Sequence, residues 1–234
     1  MKILRDHQKL NVIFSKSFIM LLIVSLALSV LTIIFHTSIE AFALSSGFSW
    51  TVAKILPYFL CLVFGIIGFC SLYKLLKAKN KVIGIIAGIV LMNLIFWTDF
   101  KFHPIYQGDF SNGSEQFTSD VKVLKPGSLS VFAIPGCPFC HGSIESLKTI
   151  KKRTPELEIN FMVCSLDSTS VSQYEKPIDG HFGLSLLNDS TTFSKLNIHS
   201  FPTFIFTDKQ GKKYRWSNDT FGAPAKDFVE RNVK

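Results

Sequence analysis

The sequence predicts an α/β domain preceded by an all-α transmembrane region of about three helices. Three observations carry that prediction. Long apolar runs are confined to the first 98 residues. Strand-like and helix-like segments alternate after residue 120. One strand-to-helix join holds a Cys-x-x-Cys pair, Cys137 and Cys140. The chain has 234 residues, and its mean hydropathy of +0.31 is high for a soluble protein. The apolar excess lies in the first part, so the chain divides near residue 99. The remainder is long enough for one modest core.

Residues 17–35 form an unbroken apolar run. Residues 52–76 form a second, interrupted by Lys54 and Lys74 near its ends. Residues 82–97 form a third, which reaches the roughly 17-residue lower limit of a membrane span only with flanking residues, giving a span of about 82–98. Residues 1–98 are therefore expected to be a transmembrane helical region. Pro57 is read as a kink in the second span. Cys61 and Cys70 lie nine residues apart in that span, on opposite helix faces and about 13 Å apart, so they are read as packing residues. A cleaved signal peptide at residues 17–35 is the weaker reading, because the run is long and no small-x-small site follows it.

Charge orients the helices. Lys2, Arg5, Lys9 and Lys16 precede the first run, and Lys74, Lys77, Lys79 and Lys81 lie between the second and third. The connection 36–51 carries only Glu40. The positive-inside rule places both basic segments in the cytoplasm, and three crossings place everything after residue 98 outside. The expected location is a bacterial inner membrane with a periplasmic C-terminal domain. The net charge of +8 thus reflects membrane flanks. From Asp99 onward, 16 Lys/Arg face 15 Asp/Glu, and no basic stripe suggests nucleic acid.

Residues 99–120, rich in Gly, Ser, Asn and Asp, are expected to be a linker. The domain follows at 121–234. Residues 121–124 read as a first strand and 129–134 as a buried one, stopped by Pro135-Gly136. Residues 138–153 read as a helix, with Ile144, Leu147 and Ile150 on one face and Lys151-Lys152-Arg153 at its C-terminus. Residues 157–165 return to strand character. Residues 166–187 read as irregular and 190–196 as a short helix. Residues 203–207 and 212–216 are strands joined by the turn Asp208-Lys209-Gln210-Gly211, and 224–233 close the chain as a helix.

Cys137 falls at the predicted N-terminus of the 138–153 helix. Free backbone N–H groups and the helix dipole stabilise a thiolate there, and the thiolate is the nucleophile in disulfide exchange. Cys140, one turn on, is placed to resolve a mixed disulfide. Pro138 suits the first helical position, where a missing N–H costs nothing.

The segment Leu129-Ser-Val-Phe-Ala-Ile-Pro-Gly-Cys-Pro-Phe-Cys140 resembles the active-site strand and helix of the thioredoxin superfamily. Leu196-Asn-Ile-His-Ser-Phe-Pro-Thr-Phe-Ile-Phe206 resembles the segment that carries the superfamily's cis-proline, here Pro202. The resemblance covers about residues 121–234. It implies a central mixed β-sheet flanked by helices and a thiol–disulfide oxidoreductase with Cys137 as nucleophile and Cys140 as resolving thiol. It implies substrate docking at Pro202, Phe201, Phe139 and Pro138. His141 is a candidate for tuning the thiolate.

The resemblance also implies protein thiols and disulfides as partners, a separate membrane protein that supplies or accepts electrons, and no cofactor beyond the dithiol. The long stretch 164–196 resembles the insertion of TlpA-like extracytoplasmic reductases, which favours reduction over oxidation. Two positions depart from the family: Gly136 where Trp is frequent, and Val131 where a buried carboxylate often helps deprotonate the second thiol. Proton transfer is then left to His141 or water.

Other readings are open on the residues. A non-catalytic binding or assembly module on the same scaffold is the alternative of a different class. Residues 137–141 also fit the Cys-x-x-Cys-His haem-attachment pattern, but the Phe-Pro-Thr segment speaks against it. No metal site is expected, because one Cys-x-x-Cys stands without a second pair at zinc spacing. Cys164 is read as a core residue.

Overall fold

The computed structural model describes residues 2–77, 81–106 and 108–233. The chain divides into two compact units, Met1–Ile105 and Tyr106–Lys234.

The first unit is helical: α1 (Lys2–Ile34), α2 (His36–Ser45), α3 (Trp50–Lys77) and α4 (Lys81–Phe102). Three segments, Lys16–Ile34, Trp50–Leu76 and Lys81–Phe102, are long and apolar enough to cross a membrane. They match the three apolar runs closely. Pro57 lies inside α3. Helix α4 packs on α3 through small residues, as membrane helices favour. Gly84 and Gly88, one turn apart, sit against Tyr73 and Phe69 of α3. A Cβ on Gly88 would lie 2.3 Å from Phe69 Cδ2. The connection 36–51, expected to be a loop, contains α2. Its polar residues (His36, Thr37, Ser38, Glu40) hide an apolar stripe that includes the buried Ala43 and Leu44.

The second unit is an α/β fold around one six-stranded sheet in the order β1-β6-β5-β2-β3-β4. Its strands are β1 (Glu115–Phe117), β2 (Ser128–Ala133), β3 (Glu158–Cys164), β4 (Gly183–Leu187), β5 (Thr203–Thr207) and β6 (Lys213–Ser217). Its helices are α5 (Pro138–Arg153), α6 (Ser172–Ile178), α7 (Ser190–Leu196) and α8 (Ala223–Val233). The sheet is mixed. β2, β3 and β4 run parallel, while β5 is antiparallel to both β2 and β6. β2 is central and buried on both faces, which is why it reads as a continuous run and not an alternation.

On one face, α5 presents Cys140, Ile144, Leu147 and Ile150, and a two-bond Arg153–Glu230 pair ties its end to α8. On the other, Phe132, Met162, Cys164 and Ile205 pack with Leu124 and Leu196. Asp208 accepts from the Gln210 and Lys212 amides and shapes the β5–β6 turn as the sequence implies.

Three expectations differ from the structure. Residues 99–120 are not a linker throughout: α4 runs to Phe102, and the second unit begins at Tyr106. Gly222 lets the segment near Gly108 dock, because a Cβ there would stand 2.1 Å from the Gly108 carbonyl oxygen. Second, the strand expected at 121–124 is a turn with Leu124 buried. The edge strand is instead Glu115–Phe117, paired with β6. Its polar composition disguises it because an edge strand needs few apolar side chains. Third, residues 166–187 are ordered as a 3₁₀ turn, α6 and β4. Pro177 and the short apolar run of β4 leave little periodicity to read.

Candidate active site

The topology explains how Cys137 and Pro202, 65 positions apart, meet. β2 delivers the chain to Cys137, and β5 starts just after Pro202. The two strands are hydrogen-bonded neighbours, with Phe132 opposite Thr203. The end of one and the start of the other therefore lie side by side. The Phe201–Pro202 bond is cis, and the Phe201 carbonyl oxygen lies 4.0 Å from Cys137 Sγ. Pro202 is buried, Phe201 half-buried and Pro138 exposed. Phe139 is 65% exposed.

Cys137 is the N-cap of α5, with extended backbone (φ −82°, ψ 109°) and Pro138 in the first turn. Cys137 and Cys140 form a disulfide with their Cα atoms 5.3 Å apart. The Cys140 amide donates to Cys137 Sγ at 3.1 Å. This is the bond that would meet a thiolate at that sulfur after reduction. The two sulfurs are unequally reachable: Cys137 is 8% exposed and Cys140 is 0%. Gly136 precedes the pair with φ +68° and open space where a Cβ would stand. The left-handed backbone, not crowding, is what favours glycine here.

The sequence reading missed the group that holds this loop. Tyr174 of α6 is fully buried. Its hydroxyl donates to the Ile134 carbonyl at 2.7 Å and bonds the Cys137 backbone. The neighbouring Gln173 accepts from the Gly136 amide at 2.9 Å. Two consecutive α6 residues thus grip the backbone from Ile134 to Cys137. Burial pushes the Tyr174 phenol above its ordinary value, with the Cys137 backbone bond opposing. The only available signal in the sequence was an aromatic residue in an otherwise polar stretch.

His141 is half-buried, and its ring stacks on Tyr174 at 4.4 Å. Among the described residues, no hydrogen bond joins that ring to either sulfur. Val131 is fully buried, so no carboxylate stands at that position of β2. Cys164, at the end of β3, has its thiol pushed up to about 12 by burial, with the Ala133 backbone opposing. It lies in the apolar cluster with Phe132 and Leu196, as expected of a core residue.

Residues 120–218 match a family described as a thioredoxin-like domain. Among curated proteins, none matches the chain. Among solved structures, the chain is similar to a secreted Mycobacterium tuberculosis disulfide oxidoreductase homologous to E. coli DsbE. The identity is 20%, over 45% of this chain and 78% of that one, with a TM-score of 0.38. It is similar to the thioredoxin domain of a thiol-disulfide oxidoreductase from Bacteroides vulgatus, with 15% identity, 52% and 97% coverage and a TM-score of 0.39. It is also similar to StoA from Bacillus subtilis, with 11% identity, 50% and 96% coverage and a TM-score of 0.36. With the Cys137–Cys140 pair at the head of α5, the mixed sheet and the match of residues 120–218 to a thioredoxin-like domain, the second unit of this chain has a thioredoxin-like fold.

Proposed function

We propose that the chain is a membrane-anchored thiol–disulfide oxidoreductase that acts on protein thiols and disulfides outside the cytoplasm, with reduction favoured over oxidation. The observation that carries the reading is the position of Cys137 Sγ. It caps α5, receives the Cys140 amide at 3.1 Å and lies beside Phe201–Pro202.

In the reducing direction, the Cys137 thiolate attacks a substrate disulfide. A bond forms between Cys137 Sγ and one substrate sulfur while the substrate S–S bond breaks and releases the other sulfur as a thiolate. The Cys140 thiolate then attacks Cys137 Sγ and expels the second substrate sulfur. Two electrons pass from the dithiol to the substrate, the Cys137–Cys140 disulfide forms, and the released thiolates take protons from solvent. Cys137 is the attacking sulfur because it is the more exposed of the two. The exposed Phe139 and Pro138, with Phe201 and Pro202, form an apolar docking rim for a substrate segment. His141, stacked on Tyr174, is the candidate to tune the thiolate through that ring.

Three apolar helices support membrane anchoring, and the basic flanks support an outward second unit. An outward reductase needs a separate membrane protein as electron donor. The test is a Cys140→Ser chain in its native membrane. It should accumulate mixed disulfides with other proteins through Cys137, and Cys137→Ser should accumulate none. A pair that resists mild dithiol reductants, with no adducts trapped, sinks the reading in favour of a binding module. A periplasm-dependent reporter after Lys234 that stays inactive sinks the orientation.

A further inference from the structure

The helical unit contains a second polar cluster that the dithiol chemistry does not use. His36 opens α2, directly after α1. Asp99 lies in the last turn of α4, and His103 just beyond it. His36 is 2% exposed and Asp99 is 0%. One ligand atom from each of His36, Asp99 and His103 falls within 4.8 Å of the others. Two atoms bound to one tetrahedral zinc-type ion at about 2.0–2.1 Å stand roughly 3.4 Å apart. The three groups are therefore within about an ångström or so of a shared ion.

An ion pair alone accounts for part of this. His36 Nδ1 lies 2.9 Å from Asp99 Oδ1. It leaves two facts over. Asp99 Oδ2 is buried with no hydrogen-bond partner among the described residues, an expensive state for a carboxylate oxygen. The His36 and His103 rings are stacked at 4.2 Å and 15°, which two imidazolium cations would resist.

The hydrogen bonds of His103 fix its usable nitrogen. Its Nε2 lies 3.0 Å from the Ile33 carbonyl oxygen, which can only accept. Nε2 therefore carries the proton, and Nδ1 of the neutral ring keeps its lone pair. A histidine whose second N–H is held by a carbonyl is the arrangement found behind metal ligands. The backbone of His103 is held too, because the Tyr58 hydroxyl donates to its carbonyl at 2.7 Å. Tyr58 also meets the His36 ring edge-on. The Cys61 thiol, 1% exposed, lies beside the Asp99 carboxylate.

We infer that His36, Asp99 and His103 form a binding site for a divalent transition-metal ion of the zinc class. Two imidazoles and a carboxylate, with a thiol adjacent, suit such an ion better than magnesium or calcium, which prefer all-oxygen shells. Asp99 Oδ2 gains a partner, and the ion joins the α1–α2 junction to the end of α4. Ionisable groups buried among apolar helices are rare without such a use.

The test uses the full chain in detergent, purified without a polyhistidine tag. Cys137 and Cys140 are replaced by Ser so that the dithiol binds no metal. Zn²⁺ is followed by equilibrium dialysis and Co²⁺ by its visible ligand-field bands. The expected result is one ion per chain with tetrahedral-type Co²⁺ bands. Affinity should fall at least about tenfold in each of His36→Ala, His103→Ala and Asp99→Asn. Sulfur-to-cobalt charge transfer, lost in Cys61→Ser, would add Cys61 as a ligand and support the site. Absence of stoichiometric binding in the unvaried triad overturns the inference whether or not the variants fold. Undiminished binding in all three variants also overturns it.

Discussion

Replacing Tyr174 with Phe isolates the grip of α6 on the dithiol loop. The ring, its burial and its contacts with His141 and Phe161 remain, and only the hydroxyl is lost. That hydroxyl serves two backbone groups, the Ile134 carbonyl at 2.7 Å and the Cys137 backbone. A buried polar group left unsatisfied costs about 1–3 kcal/mol. Ile134 is only half-buried and Cys137 is 8% exposed. Water can partly repair both, so the lower part of that range, about 1–2 kcal/mol, is expected. This corresponds to a roughly 5- to 30-fold rise in the open population of the loop. Amide hydrogen exchange on the full chain, read by mass spectrometry for the peptide covering 134–140, measures it directly. Exchange there should quicken by that factor while the C-terminal half of α5 and α8 keep their rates. Trapping of mixed disulfides through Cys137 should slow in parallel. Unchanged exchange at 134–140 refutes the grip. Equal acceleration across the whole domain refutes its being local.

In the reduced chain at pH 8, iodoacetamide should label Cys137, while Cys164 is labelled only after denaturation. A thiol pushed up to about 12 is about one part in ten thousand thiolate at that pH, and peptide mapping reads the difference. Gly222→Ala should destabilise the second unit by about 1–3 kcal/mol, because its Cβ meets the Gly108 and Asp109 carbonyl oxygens. Urea titration of Trp216 fluorescence in a Trp50→Phe, Trp97→Phe background checks it, and no change would mean that residues near 108 are not docked. Gly88→Leu should loosen α3 from α4, with Phe69→Ala restoring part of the loss; proteolysis in detergent reports both. Asp189 caps α7, and its carboxyl is held down to about 2 by Thr191 first and Thr192 second. A lowered folded value means that its contribution is present above pH ~3.8 and fades as pH falls through ~2. Pepsin should cut α7 of Asp189→Ala faster than wild type at pH 4, with the gap closing toward pH 2.

The parts of the fold that were legible from sequence are those with strong period or sharp punctuation. The three apolar helices, β2 with its Pro135-Gly136 stop, α5 with its 144, 147, 150 stripe, and the β5–β6 turn all lie close to where the pattern puts them. The elements that escaped are short or polar on the outside: α2, β1, α6 and β4. Glu115–Phe117 carries one aromatic in three residues and is a strand because Arg215, Tyr214 and Lys213 lie opposite. No local signal encodes that partner. The dithiol and Pro202 were readable because each is a fixed spacing of rare residues. Tyr174 was not, since its role arises from α6 folding back onto a loop 40 residues earlier. His36, Asp99 and His103 were hidden in the same way. Each sits singly at the end of an apolar helix, and only the helix packing collects them.

The substitution at Val131 acquires a sharper meaning from this geometry. Exchange through a buried Cys140 requires that a proton leave and return. Strand alternation puts Leu129, Val131 and Ala133 of β2 on one face and Ser128 and Ser130 on the other. The Ala133 face therefore gains no carboxylate from β2. Tyr174 has its hydroxyl committed to the Ile134 carbonyl, and burial pushes its phenol above the ordinary value. It keeps its proton through neutral pH and cannot serve as the relay. Cys164, also protonated, belongs to the opposite apolar cluster. The remaining route runs to solvent at the exposed N-terminal turn of α5, past the half-buried His141 ring. A dithiol that exchanges its resolving proton with solvent is governed by how often that turn opens. On the proposed function, the grip of Tyr174 and Gln173 on residues 134–136 would set that frequency, which ties a segment with a weak sequence signal to the chemistry.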